Sequence, residues 1–509
     1  MMAHLTIAPI ILPVLALVAV LLAERRGIGT QRAIAWAATL LQWLVSIILL
    51  VQADDGVTRV YLLGGWESWL GIALAVDRLS ALMLATTTTL ALASLAYACS
   101  GWDQRAPHFH ALFQAQLMGL AGAFLTADLF NLFVFFEVLL IASYGLMLSG
   151  GRGPALRAGL HYVAFNVAAS TLYLFAIGLL FGLLGALNMA EMAQRIAVAP
   201  AADLPLIQAA GGLLLVVFCA KAALFPLHLW LPETYRRTPA PVLVLFAIMT
   251  KLGVYAVLRV FGTLFGADAG ELAGFAWPWL IAAAALGLPL AALGALAASS
   301  LHRLTAWLVV SSAATLFLAI GFATPETVGA GLYYLVQSAF AAAALFLLGD
   351  TIARQRHSAG DSLRTVDRVA RRAALGLLFL VVAIWLAGMP PLAGFIGKVA
   401  LLAAIPEAAA SWAWSLILVA GLLTLIALSA AGSHLFWRED NAPPTEERPP
   451  HPSEYVAIML LLALSLALSV FAEPLLRYSR DAAGQALSPV GYHETLLGRQ
   501  AGPETGGSP

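Results

Sequence analysis

Only three lysines occur in this chain of 509 residues, and each of them lies inside an apolar stretch. They are Lys221 in VVFCAKAALF, Lys251 in FAIMTKLGVY and Lys398 in AGFIGKVALL. Burial disfavours the ammonium form and can lower the pKa of a lysine by several units, whereas an arginine stays protonated at physiological pH. Side chains of this type at these positions can therefore take up and release a proton.

Glu137, in NLFVFFEVLLIASY, is the acidic counterpart of these lysines. An ionisable residue inside a membrane span is a functional-site hypothesis by default. Lys221 is its natural partner, because a nearby ammonium would keep the carboxylate ionised and the two groups would titrate as a coupled unit. We predict that a proton passes from this pair to Lys251 and then to Lys398; a purely structural ion pair remains the alternative for any single one of them.

Polar side chains in neighbouring apolar stretches are candidates to hold the water between these groups. They are His161, Asn166, Ser311, Ser312, Gln337 and Ser338. Other polar groups are expected to have structural roles: Asp128 as a helix cap, Asp77 and Arg78 at the start of a span, and His228 and His302 at the membrane interface. No Cys/His cluster accompanies Cys99 and Cys219, so neither a metal site nor another cofactor is expected.

The composition is that of an all-α polytopic membrane protein. Hydrophobic residues make up 61% of the chain and charged residues 11%, whereas a soluble domain carries about 25% charged residues. The formal net charge is zero, so nothing suggests a nucleic-acid partner.

Fourteen stretches approach the roughly 20 apolar residues that a helix needs to span a bilayer. They lie near 6–23, 32–52, 75–99, 109–126, 128–148, 159–185, 205–229, 240–262, 272–298, 303–322, 327–349, 374–404, 411–437 and 454–474. The fourth and fifth are nearly continuous, which requires a tight turn at Ala127–Asp128.

Arginine alternates between the connections of these spans. Seventeen arginines fall in the connections that follow odd-numbered spans, against Arg59 and Arg195 in the others. Since cytoplasmic loops are enriched in Lys and Arg, this pattern orients the chain with both termini outside. The inner connection at 351–373 is expected to be an amphipathic, Arg-rich surface helix, and the polar tail after 475 to be partly extended or docked on a partner.

Two spans contain prolines close to a lysine. Pro226 follows Lys221 by five residues, and Pro390 and Pro391 precede Lys398. Proline removes a backbone hydrogen bond and breaks a helix, and the freed groups must then be satisfied by protein or water. Interrupted spans in corresponding positions of two halves point to an inverted-repeat transporter.

Three segments resemble a known family: residues 122–151 (GAFLTADLFNLFVFFEVLLIASYGLMLSGG), residues 225–260 (FPLHLWLPETYRRTPAPVLVLFAIMTKLGVYAVLRV) and residues 389–398 (MPPLAGFIGK). They are similar to the proton-conducting antiporter-type subunits of respiratory complex I and of the multisubunit Mrp sodium/proton antiporters. LFNLFVFFEVLLIASY and PETYRRTPAPV are closest to the D-type subunits of the Mrp antiporters.

The resemblance implies a particular organisation. Fourteen core helices would form two inverted five-helix repeats, with helices 7 and 12 broken. Residues 1–105 would carry helices 1–3, residues 106–262 the first repeat (helices 4–8), residues 263–440 the second (helices 9–13), and residues 441–509 helix 14 and the tail.

The resemblance also assigns roles to single residues. It implies that Glu137 pairs with Lys221, that Lys251 is the central relay residue and that Lys398 is the terminal one. The chain departs from many relatives at Gln337, where they carry a histidine, and a glutamine can hold water but cannot carry a proton.

These features predict a proton-translocating subunit of a multisubunit monovalent cation (Na⁺)/H⁺ antiporter, assembled with other membrane subunits in a bacterial inner membrane. The alternative is a proton-pumping subunit of a complex-I-like oxidoreductase or membrane-bound hydrogenase. A redox enzyme in its own right is not expected, and the intramembrane charges argue against a purely structural scaffold.

Overall fold

A computed structural model describes residues 2–68, 71–149, 153–356, 359–363, 369, 371–437 and 451–498 of the chain. The described residues are almost entirely helical, which confirms the predicted all-α membrane architecture. Eleven helices are long and apolar enough to cross a membrane, and four shorter apolar helices accompany them. The helices are α1 Ala8–Leu22, α2 Ile28–Ala53, α3 Arg78–Ala98, α4 Phe109–Leu125, α5 Leu129–Leu148, α6 Pro154–Leu184, α7 Met189–Ala197, α8 Leu204–Lys221, α9 Trp230–Arg237, α10 Ala240–Leu264, α11 Trp277–Leu296, α12 Leu301–Gly321, α13 Pro325–Arg354, α14 Arg372–Ala387, α15 Ala393–Ala404, α16 Glu407–Gly432, α17 Pro452–Val470, α18 Ala472–Leu487 and α19 Val490–Leu496.

Each predicted span overlaps one of these helices, except that the twelfth covers α14 and α15. The predicted seventh span, 205–229, covers α8 and the break after it, and α9 begins just beyond its end. Only three residues, 126–128, separate α4 from α5, but they do not form the predicted tight turn: Thr126 and Asp128 are extended and form isolated β-bridges with Leu74 and Asn188. Asp128 caps α5, as predicted, because its carboxylate accepts a hydrogen bond from the backbone N–H of Asn131 at 2.7 Å. A small antiparallel hairpin, β1 Arg59–Leu62 and β2 Ala73–Val76, links α2 to α3 and pairs Arg59 with Val76.

Four helices form the interior of the protein. Between 89% and 100% of the spanning residues are buried in α3, α10, α12 and α13, against 28% to 39% in α2, α6, α11, α16 and α17. In a bilayer, lipid is as apolar as the exposed leucines, so the exposed apolar surface needs no protein partner to be stable. Polar side chains on the four buried helices are therefore kept away from lipid.

The two spans with prolines close to a lysine are interrupted, as predicted. α8 ends at Lys221 and α9 begins at Trp230, with a cis Phe225–Pro226 bond between them. α14 ends at Ala387 and α15 begins at Ala393, with a cis Pro390–Pro391 bond between them. The carbonyls released at the breaks find side-chain donors: Trp230 Nε1 donates to the Ala220 oxygen at 3.0 Å and Lys398 Nζ to the Ala387 oxygen at 2.7 Å.

The C-terminal tail, predicted to be partly extended or docked on a partner, is mostly helical over the residues that the structure describes. Residues 472–496 form α18 and α19, and α18 packs along α13, α3 and α10 of the same chain. Gly329 of α13 permits the close approach, since a Cβ at that position would lie 2.6 Å from the Cα of Arg480. The tail's side chains also bind the hairpin region, because Gln485 Nε2 donates to the Gly56 oxygen at 3.0 Å. Residues 499–509 lie outside the described part of the chain.

The prediction of an amphipathic helix at 351–373 was wrong where the structure describes it. α13 runs only to Arg354, and Ser362 pairs with Ser300 in an isolated β-bridge. Arg356 is fully buried and donates to the carbonyl oxygens of Gly360 and Ser362, at 3.0 and 2.7 Å, which fixes a compact loop. Residues 357–358, 364–368 and 370 lie outside the described part of the chain.

Candidate functional site

Glu137 lies in the middle of α5, partly buried, and binds a neighbouring helix. Its carboxylate accepts a short hydrogen bond from the hydroxyl of Ser170 on α6. Among the described residues no basic side chain lies within 4.0 Å of this carboxylate, so the structure does not bring Glu137 and Lys221 into a direct ion pair. Ser170 was not predicted from the sequence, because nothing in a single sequence links residues that are 33 positions apart.

Lys221 is the last residue of α8 and is 9% exposed. Its ammonium lies 4.8 Å from the centre of the Phe136 ring, the residue next to Glu137. A cation over an aromatic face is attracted by the ring quadrupole, and the C-terminal end of a helix is partially negative. Both effects stabilise the charged form of Lys221 beside the helix that carries Glu137.

A cavity of about 30 Å³ adjoins Lys221. Tyr162, Asn166 and Trp230 are among the residues that line it. A cavity of roughly 10–15 Å³ is enough to hold a water molecule, so water has room at this point. Asn166 lines this cavity, and its amide also donates to the Tyr162 carbonyl of its own helix at 2.9 Å.

Lys251 lies at the centre of α10 and is completely buried. Its ammonium donates a hydrogen bond to Ser312 Oγ on α12 at 2.8 Å. The Ser312 hydroxyl in turn donates to the Val309 carbonyl oxygen at 2.8 Å, which orients its lone pairs for the lysine. Within the described part of the chain, this is the one side-chain hydrogen bond between two of the predicted site residues.

A second cavity, of about 40 Å³, lies between Ser312 and Lys398, which both line it. Its polar lining includes the predicted residues Ser311, Gln337 and Ser338, together with Thr315 and Thr424, which were not predicted. The hydroxyls of Thr315 and Ser338 donate to the carbonyl oxygens of Ser311 and Leu335 in their own helices. They therefore present acceptor lone pairs to a bound molecule.

Gln337 supports the presence of water in this cavity. Its Oε1 is buried and accepts no hydrogen bond from any described residue. An unsatisfied buried oxygen costs free energy unless a donor reaches it, and water is the small donor that fits. The amide thus supplies a fixed acceptor between Lys251 and Lys398.

Lys398 reaches back across the second helix break. It belongs to α15, and its ammonium binds the carbonyl of Ala387, the last residue of α14. Lys221 and Lys398 are both associated with the C-terminal end of the first half of a broken helix: Lys221 is the last residue of α8, and the Lys398 ammonium binds the last carbonyl of α14. That end attracts a positive charge.

His161 does not join this line of groups. It is exposed and lines an open cavity of about 760 Å³ with Glu233 and Arg237. His228 and His302, expected at the membrane interface, are buried: His228 packs between Phe225 and Trp307, and His302 binds Asp361 at 2.9 Å.

Two further charged clusters were not predicted. Arg259 of α10 forms a buried ion pair with Asp77 at 2.6 Å, and Asp77 also caps α3. Near the start of α4, Asp103 binds Arg32 at 2.6 Å and His110 at 3.0 Å. Burial acts to raise the pKa of Asp103, but the hydrogen bonds from Arg32 and His110 outweigh it and hold that pKa below its usual range.

Cys99, Asp103 and His110 bring potential metal-ligating atoms within 4.8 Å of one another. No such cluster was expected from the sequence. Arg32 already neutralises the Asp103 carboxylate through two hydrogen bonds, at 2.6 and 2.7 Å. A metal cation would have to displace this guanidinium, so the donor set does not favour metal binding. Cys99 and Cys219 are both free thiols.

The line of groups has the chemistry of a proton pathway. Lysine amines and a carboxylate can exchange protons, and the hydroxyls, the Gln337 amide and the two small cavities can hold water between them. The four ionisable groups come from both proline-interrupted spans and from the helices packed against them.

Comparison with known proteins relates the chain to antiporter subunits. The model of a family described as "NADH:quinone oxidoreductase/Mrp antiporter, TM" matches residues 126–424. The chain is 38% identical to the D subunit of a probable K(+)/H(+) antiporter of Rhizobium meliloti, over 97% of both chains. It is 33% identical to the D subunit of a Na(+)/H(+) antiporter of Bacillus subtilis, over 97% of this chain and all of that one.

A solved structure has the same fold. A chain of the Mrp complex from Dietzia sp. superposes with a TM-score of 0.87 at 26% identity, covering 97% of this chain and 99% of that one. The matched family region runs from the start of α5 to the middle of α16, so it contains every residue of the candidate site.

Proposed function

Since the chain belongs to the NADH:quinone oxidoreductase/Mrp antiporter family, we propose that it is the proton-translocating subunit of a multisubunit monovalent cation/H⁺ antiporter. It is a multi-pass membrane protein and a transporter component, with no catalytic reaction of its own. The relatives are named for exchange of Na⁺ or K⁺ with H⁺, and we propose Na⁺ as the principal exchanged cation.

The contact between Lys251 and Ser312 carries this proposal. It joins a fully buried amine to a water-sized polar cavity that ends at a second lysine. When Lys251 is neutral, its nitrogen can accept a proton that arrives from the Lys221 side. When it is protonated, it can pass the proton through Ser312 and cavity water toward Lys398.

Glu137 and Lys221 form the loading end of the pathway in this proposal. Ser170 donates to the Glu137 carboxylate, while Phe136 holds the Lys221 ammonium close to the same helix without a direct ion pair. A small movement of either side chain would bring the charges together or separate them. Closer approach stabilises both charged forms, and separation favours release of the lysine's proton.

The orientation follows from the distribution of arginine. We propose a bacterial inner membrane location, with both termini outside and the arginine-rich connections in the cytoplasm. We also propose two inverted repeats, helices 4–8 and 9–13 in the numbering of the predicted spans, each with one broken helix. The equivalent association of Lys221 and Lys398 with half-helix ends supports this division.

A proton-pumping subunit of a complex-I-like oxidoreductase is the second candidate, because the family description includes NADH:quinone oxidoreductases. Gene neighbourhood separates the two. Adjacent genes for small antiporter membrane subunits support the first function, and adjacent genes for redox subunits support the second.

The direct test uses everted membrane vesicles from cells that express the complete gene cluster. We expect addition of Na⁺ to dissipate a preformed pH gradient with the full cluster, and not after deletion of this gene alone. Restoring the gene on a plasmid should restore the exchange, and K⁺ should be assayed in parallel. Unchanged exchange after the deletion would contradict the proposal.

A further inference from the structure

We propose that the open cavity between α6 and α9 binds the headgroup of one anionic phospholipid from the cytoplasmic leaflet. The cavity has a volume of about 760 Å³ and is lined by Arg157 and His161 of α6 and by Trp230, Glu233 and Arg237 of α9. The inference rests on the proposed orientation, which places this end of α6 on the cytoplasmic side. It assigns a ligand to a region outside the line of proton-exchanging groups.

The charges around the cavity favour an anion. Among the described residues, Glu233 is the only carboxylate that lines the cavity. It forms ion pairs with two arginines, Arg236 at 3.6 Å and Arg237 at 3.2 Å. Arg157 is exposed and forms no hydrogen bond or ion pair with any described residue. Its guanidinium is therefore available, and guanidinium groups bind phosphate oxygens through paired hydrogen bonds.

The surroundings favour a lipid over a soluble anion. Leu156 and Leu160 of α6 and Leu229 at the start of α9 are between 57% and 75% exposed. A phosphodiester bound at Arg157 would have its acyl chains beside this apolar surface, as expected for a lipid held at the membrane boundary. Basic pockets between transmembrane helices on the cytoplasmic side are suited to anionic headgroups.

The position of the cavity gives a bound lipid a route to influence transport. Trp230 lines both this large cavity and the small cavity beside Lys221. Its indole N–H also holds the Ala220 carbonyl at the end of α8. A headgroup in the open cavity would contact the residue that separates the cytoplasmic surface from Lys221.

Photochemical labelling tests the site without relying on ion exchange. The purified complex is placed in phosphatidylcholine vesicles that contain photoactivatable phosphatidylglycerol, and labelled peptides are mapped by mass spectrometry. We expect labelling of residues 153–161 and 229–237. Arg157→Gln should reduce this labelling about tenfold, as the loss of one charge-assisted contact implies.

Arg25→Gln is the matched control, because Arg25 is an exposed arginine in a predicted cytoplasmic connection outside the cavity. It should leave the labelling of both segments unchanged, as should excess inorganic phosphate. Equal labelling of wild type and Arg157→Gln, equal labelling by a photoactivatable phosphatidylcholine, or displacement by inorganic phosphate would each overturn the lipid site. A complex that is labelled as expected but exchanges no cations would instead contradict the proposed function alone.

Discussion

Replacement of Ser312 by alanine tests whether the hydroxyl next to Lys251 is part of the pathway. Lys251 is fully buried, and Ser312 Oγ, 2.8 Å away, is its hydrogen-bond partner among the described residues. A hydrogen bond to a charged group contributes about 1.5–3 kcal/mol. Removing it should lower the fraction of Lys251 that points toward the cavity by about tenfold to about a hundredfold.

The assay is Na⁺-dependent dissipation of a pH gradient in everted vesicles that contain the whole complex at matched protein levels. We expect Ser312→Ala to lower the maximal rate at least severalfold, and Ser312→Thr, which keeps a hydroxyl, to retain most of it. Ser94→Ala is the matched control, because Ser94 is a buried serine of α3 that donates to the Pro241 carbonyl outside the pathway. Full activity of assembled Ser312→Ala would refute the reasoning that this hydroxyl connects Lys251 to the cavity.

Three further predictions concern Glu137 at the start of the pathway, the need for the other subunits, and the buried Arg259–Asp77 ion pair. Glu137→Ala should abolish antiport while the complex still assembles. Glu191→Ala, which removes a glutamate paired with Arg195 outside the pathway, should leave antiport intact. Normal transport by Glu137→Ala would mean that Glu137 has a structural role at most. The subunit expressed alone should show little or no antiport, and robust exchange by the reconstituted single chain would exclude the hetero-oligomer. Arg259→Met should destabilise the folded protein by about 3–5 kcal/mol, because it leaves the Asp77 carboxylate buried without its partner; an unchanged melting temperature of the purified complex in detergent would contradict this.

The helices and both breaks could be predicted from the sequence because the responsible signals are local. Hydropathy over roughly 20 residues identifies a span, and Pro226, Pro390 and Pro391 each remove a backbone N–H that a regular helix would use. Proline alone does not decide the outcome, since Pro13 and Pro289 lie inside the continuous helices α1 and α11. Lys221, Lys251 and Lys398 could be identified as candidates because they are the only lysines of the sequence and all lie in apolar stretches. Lys221 and Lys251 are buried and Lys398 is partly buried, in keeping with their apolar sequence surroundings.

The partners of these residues could not be predicted, because they depend on how helices pack. Glu137 binds Ser170 of the next helix, and Lys251 binds Ser312, which is 61 residues away. The sequence suggested a direct Glu137–Lys221 pair on two grounds, the complementary charges and the family resemblance, and neither gives the distance between the two side chains. Phe136, whose ring faces the Lys221 ammonium, carries no signal that distinguishes it from the other phenylalanines of α5.

The helices of the C-terminal tail were not predicted, because the polar composition of the tail suggested an extended chain although its small and aromatic residues have helical spacing. Tyr478, Ala482 and Ala486 recur every four residues and form a buried, mostly small face of α18. Small residues allow helices to approach closely in membranes, and Gly329 provides the complementary surface on α13. The helical spacing of these residues can be recognised in the sequence, but the surface of α13 against which α18 packs cannot.

The central claim, that the buried lysines exchange protons and do not serve as fixed charges, is tested most directly at Lys251. Arginine keeps the charge but is effectively never deprotonated in a protein, whereas histidine has a pKa near neutrality. We expect Lys251→His to retain more cation/proton exchange than Lys251→Arg, measured in everted vesicles at matched levels of assembled complex. Lys221→Arg and Lys398→Arg should likewise lose most of the activity. Higher exchange in Lys251→Arg than in Lys251→His would mean that this position supplies a fixed charge, and would contradict a proton relay through Lys251.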